Sequence, residues 1–104
     1  MVEVVRSLTF DRWLRKLKDR RAVTRIRMRI DRLAAGNPGD VKPVGRGISE
    51  MRIHYGPGYR VYFLQDGESL ILLLAGGDKA SQNADILMAR AIADTWHRGQ
   101  GGAL

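Results

Sequence analysis

Apolar residues recur with helical spacing in the first third of the chain. Phe10, Trp13, Leu14 and Leu17 fall at i, i+3, i+4 and i+7, one face of a helix, while Arg12, Arg15, Lys16 and Lys18 turn to solvent. Ser7 or Thr9 can accept the free backbone N–H groups at its start, and residues 2 to 6 before it read as a short strand. Asp19 restarts the pattern as the N-cap of a second helix with Val23, Ile26, Ile30 and Leu33 inward, and Gly36-Asn37-Pro38-Gly39 stops it. The spacing predicts a helical hairpin.

From residue 41 the period changes to two and glycines divide the chain into short segments. Residues 41 to 44, 49 to 55, 59 to 64 and 69 to 75 read as strands, with hairpin connections at Gly56-Pro57-Gly58 and Gln65-Asp66-Gly67-Glu68. The run Leu70 to Ala75 has no polar alternation, which predicts a central strand covered on both faces. After Gly76-Gly77 the chain is expected to leave the sheet. Ser81 can cap a last helix over residues 82 to 96, and the glycine-rich residues 97 to 104 are expected to fray. The order predicts one α+β domain over residues 1 to 96, helices segregated around a small antiparallel sheet.

Charge adds to this picture. The chain of 104 residues carries a net +7, and residues 1 to 35 hold eleven of its eighteen Lys and Arg but only four of its eleven Asp and Glu. A localised positive field attracts nucleic acid, a ribosome or an acidic protein. Arg21, Arg25, Arg29 and Arg32 form one stripe on the second helix, where like charges four residues apart are locally unfavourable, so the stripe is a candidate RNA contact. Cysteine is absent and there are two histidines, which excludes disulfides, thiolate chemistry and Cys-based zinc sites; neither a metal nor another cofactor is expected. No run approaches a membrane span and the N-terminus does not read as a secretory signal, so no membrane association and a cytoplasmic location are expected.

The stretch Ser49-Glu50-Met51-Arg52-Ile53-His54-Tyr55-Gly56-Pro57-Gly58-Tyr59-Arg60-Val61-Tyr62-Phe63, followed by Leu73-Leu74-Ala75-Gly76-Gly77-Asp78-Lys79, resembles the HigB-like branch of the RelE/ParE toxins. The resemblance covers roughly residues 2 to 96, and its specific element is the Gly-Pro-Gly-Tyr-Arg-Val-Tyr hairpin combined with Gly-Gly-Asp-Lys. It implies a helical hairpin on a small antiparallel sheet with a mixed edge. It also implies an addiction-module toxin with a helix-turn-helix, HigA-like antitoxin as partner. Many such toxins cleave mRNA in the ribosomal A site; others in the superfamily inhibit gyrase, and a binding-only member is a third reading.

Metal-free RNA cleavage needs a group that takes the 2′-OH proton, one that protonates the leaving 5′ oxygen, and cations that stabilise the phosphorane. Strand parity places Glu50, Arg52 and His54 on one face and Arg60, Tyr62 and Leu64 on one face of the next strand. If these rows pair on the side away from the helices, Arg52, His54, Arg60 and Tyr62 converge where Asp78 and Lys79 emerge. Arg60 can hold phosphate oxygens bidentately, and the resemblance implies that the arginine of this motif stabilises the transition state. Arg52 is a second cation, His54 a proton acceptor, Lys79 a phosphate ligand or acid, and Tyr62 an RNA contact. The RelE branch carries two strand lysines where this chain has Met51 and Ile53, so the resemblance moves their role by one residue to Arg52 and His54. Asp78 reads best as a turn residue.

Overall fold

Ser7 fixes the N-terminal half to the sheet. In the computed structural model, which describes residues 2–99, its hydroxyl oxygen accepts from Phe10 N–H at 3.0 Å and caps α1 (Leu8–Lys16), and the same hydroxyl donates to the Leu74 carbonyl at 2.6 Å. Asp19 accepts from Arg21 and Ala22 N–H and begins α2 (Arg20–Ala34), and Gly36, with φ of 89°, ends it as Asn37 N–H returns to the Arg32 carbonyl at 2.8 Å.

Five strands follow the order β1-β5-β4-β3-β2: β1 (Glu3–Arg6), β2 (Val41–Pro43), β3 (Ile48–Ile53), β4 (Tyr59–Asp66) and β5 (Leu70–Gly77). β1 lies parallel to β5 and every other neighbour is antiparallel, so the sheet is mixed. The middle strand is β4. β5 lies beside it and is covered on both faces, Ile71 and Leu73 on one and Leu72 and Leu74 on the other. β5 also runs further than the sequence predicts, because Gly76 and Gly77 still pair with Val61 and Arg60.

The helices divide between the two faces. α1 lies over β5 and α2 over β3, and their Phe10, Leu14, Ala22, Ile26, Ile30 and Leu33 pack on Met51, Ile53, Tyr59, Val61 and Phe63. The last helix, α3 (Gln82–Gly99), crosses the opposite face, where Ala89, Ala93 and Trp96 cover Ile48, Tyr62, Leu64, Leu72, Leu74 and Ala75. An irregularity between Tyr62 and Phe63, opposite Leu74, puts Leu72, Leu74 and Ala75 together in this second core. α3 continues past residue 96; the rest of the predicted tail, residues 100 to 104, lies outside the described residues. Among the described residues no helix is long and apolar enough to cross a membrane.

Candidate functional site

Three strands end together on the α3 side of the sheet, and the end of their shared row is not covered by that helix's apolar residues. Arg52 on β3, Arg60 on β4 and Gly77 on β5 are register partners across this end. Like charges directly opposite are unfavourable, and each arginine here has its own carboxylate. Arg52 donates to Asp40 Oδ1 through Nη2 at 2.8 Å and Nε at 3.3 Å. Arg60 places Nε 3.5 Å from Glu50 Oε2 and donates from Nη1 to the Gly58 carbonyl at 2.9 Å.

Lys79 stands beside the same glycine, Gly58. A Cβ built on that glycine would lie 3.4 Å from Arg60 Nη1 and 3.7 Å from Lys79 Cβ, and its φ of 81° suits a residue without one. Asp78, just before, accepts from Ala80 and Ser81 N–H and caps the 3-10 turn Lys79–Ser81 that leads into α3, leaving Lys79 exposed. The structure therefore brings Arg52, Arg60 and Lys79 to one sheet end.

His54 takes a different position. β3 stops at Ile53, so strand alternation no longer governs residue 54, and the ring bonds Asp40 through Nε2 while 75% of the side chain stays exposed. Asp40 thus joins His54 to Arg52. The Arg52 guanidinium, then the His54 ring, hold the Asp40 carboxyl below its ordinary value.

His54 also borders a groove of about 640 Å³ along α2, lined by Arg20, Arg21, Arg25, Arg29 and Arg32 around Thr24, Met28 and Ile53. The four arginines of the predicted stripe all reach it, but not in one role. Arg25 lies over the Tyr55 ring, 4.7 Å from its centroid, and Tyr55 donates to Asp19 at 3.0 Å. Arg29 is half-buried and ties the chain together, donating to the carbonyls of Arg52 at 2.6 Å and Pro38 at 3.1 Å. Arg21 and Arg32 are exposed. Met28, half exposed on the α2 surface, gains a place in the structure as part of this lining.

Tyr62 departs most from the sequence reading. It is fully buried beneath α3, where its hydroxyl donates to Glu50 Oε2 at 3.1 Å, so it has no surface to offer RNA. Burial and the neighbouring Glu50 charge push its phenol well above the ordinary value. Glu50, absent from the predicted site, is itself completely buried and also accepts from Gln82 Nε2 at 2.8 Å. The missed signal is that Ile48, Tyr62 and Leu64 share a face with Glu50 and Arg60: that half of the face is apolar and needs a cover. Among the described residues no three His, Asp or Glu side chains gather in a way that could hold a metal ion.

These features define a small basic α+β protein with a cationic sheet end beside an arginine-lined groove, a class suited to polyanions. The chain belongs to the family described as phage-derived Gp49-like proteins (DUF891), which matches residues 12–94 and so includes every residue of the site. That family is associated with toxin–antitoxin modules and related to addiction-module killer proteins. The chain is also similar to an uncharacterized protein of Haemophilus influenzae Rd, 49% identical over 92 residues that cover 88% of this chain and 93% of that protein.

Proposed function

We propose that this protein is the toxin of a type II toxin–antitoxin pair, of RelE/ParE type and nearest its HigB-like branch, and that it cleaves mRNA on the translating ribosome. The reading rests above all on three cations, Arg52, Arg60 and Lys79, held at one sheet end beside a groove of further arginines. In the reaction the 2′ oxygen attacks the adjacent phosphorus, the bond to the 5′ oxygen breaks, and a cyclic phosphate and a 5′-OH result. His54 takes the 2′-OH proton; Asp40, on Nε2, orients the ring so that Nδ1 is the acceptor. Arg60 and Arg52 carry the charge that grows on the non-bridging oxygens, and Lys79 protonates the departing oxygen. Arg21, Arg25 and Arg32 hold the RNA backbone along α2. The protein partner is a helix-turn-helix antitoxin, and the setting is the cytoplasm.

The test is primer extension on a translated reporter mRNA in cells lacking the antitoxin, with the wild type, Lys79→Ala and Arg60→Lys. The last keeps a cation beside Glu50 but loses the planar fork. New 5′ ends inside the reading frame with the wild type, and few or none with either variant, are expected. Growth arrest with intact mRNA sinks the nuclease and points to gyrase; no effect on growth points to a protein that only binds.

A further inference from the structure

Glu50 and Arg60 leave polar atoms unused in the interior. Glu50 is completely buried, and its Oε2 takes Tyr62 and Gln82 and faces Arg60 Nε, while its Oε1 has no hydrogen-bond partner among the described residues. The Arg60 side chain is 12% exposed, and its Nε is buried and likewise without a hydrogen bond, standing 3.5 Å from the carboxylate. A buried carboxylate costs far more than a surface one unless a cation and hydrogen bonds compensate it. Here the cation is the arginine at the sheet end.

The two donors to Glu50 and the facing guanidinium come from two elements: Tyr62 and Arg60 from β4, two residues apart on one face, and Gln82 from the first turn of α3. The carboxylate is thus fixed in a rigid wall rather than on a loop. From there it sets the guanidinium edge-on, with Nε inward and Nη1 on the Gly58 carbonyl. Nη2, at the other end of the fork from Nε, makes no hydrogen bond among the described residues.

We infer that Glu50 is the positioning residue of the site: it holds the Arg60 guanidinium so that its outer edge meets a phosphate oxygen, and it does so without touching substrate. This inference rests on the nuclease reading for its catalytic consequence, but the geometry it asserts does not. An arginine left free to rotate still attracts RNA, so binding survives while transition-state stabilisation falls. Misplacement of such a group by about an ångström is worth on the order of 100-fold in rate.

The experiment pairs two readouts on the full-length protein: cleavage of mRNA on programmed ribosomes, resolved into kcat and KM, and the NMR signal of the Arg60 Nε–H. Glu50→Gln is expected to lower kcat by roughly 100-fold with KM little changed, and to speed solvent exchange of the Nε–H. Tyr62→Phe, nearly isosteric and leaving the ion pair intact, loosens only one tether of the carboxylate and gives a smaller loss of the same kind. If Glu50→Gln does not fold, Tyr62→Phe and Gln82→Leu decide the matter in the same two assays. Wild-type kcat and an unchanged Nε–H in folded variants overturn the inference; so does a loss confined to KM. If the wild type does not cleave, the nuclease reading fails, and the Nε–H exchange alone still decides whether Glu50 holds Arg60.

Discussion

A Cβ on Gly76 would stand far inside contact distance of Trp13 Cε3, and one on Gly77 would collide with the Asp85 carboxylate. The two glycines close β5 between layers on opposite faces, a steric demand and not one of backbone dihedrals. Gly76→Ala should cost about 1–3 kcal/mol, as overpacking does, read as a lower urea midpoint with unchanged slope; Trp13→Leu in the same chain should recover part of it. Arg60 carries a second load at this scale. Removing it leaves the Glu50 charge buried and alone, so Arg60→Ala should cost about 3–5 kcal/mol, and adding Glu50→Gln should return much of that loss. Asp40 gives a pH signature. Its carboxyl is held below the ordinary value of 3.8, first by Arg52 and then by His54, so its contribution to stability is present above that value and lost as pH falls through the lowered one. NMR titration should place its midpoint below 3.8 in the folded protein, and Asp40→Asn should flatten the acid limb of the stability curve.

At the scale of elements, Ser7 joins α1 to β5 with one hydroxyl, and Ser7→Ala should cost about 1–2 kcal/mol because a helix cap and a buried bond to the Leu74 carbonyl go together. Much of the element order was legible, since a 3.6 period over residues 10 to 33 and a period of two from residue 41 require no tertiary information. The Asp19 cap and the Gly36 stop act through local hydrogen bonds and were legible for the same reason. What alternation could not say is which face each helix covers. It grouped Glu50, Arg52, Arg60 and Tyr62 correctly as one row, yet read the row as open, whereas α3 buries its inner half and leaves only the sheet end uncovered. His54 was misplaced by the same logic, because the strand ends one residue before it and the ring turns to the α2 groove. Within the arginine stripe, sequence spacing could not separate Arg29, which anchors the chain before β2, from its exposed neighbours.

That separation yields the prediction for the whole molecule, whose positive excess sits in its first third and, in the fold, along α2. If the groove binds RNA through phosphates, affinity must fall with salt, each contact to a single strand contributing a slope of about −0.7 in log K against log salt. Arg21→Ala, Arg25→Ala and Arg32→Ala combined should therefore reduce the slope by about 2, weaken binding to ribosomes or RNA alike, and leave folding nearly intact. Arg29→Ala should behave in the opposite sense, lowering the urea midpoint because the carbonyls of Pro38 and Arg52 lose their donor, with less change in the salt slope. Filter binding over a salt series, with unfolding curves on the same samples, reads both quantities. A triple variant that keeps the full slope would remove α2 from the RNA surface and leave the cations of the sheet end to account for all of the electrostatic attraction.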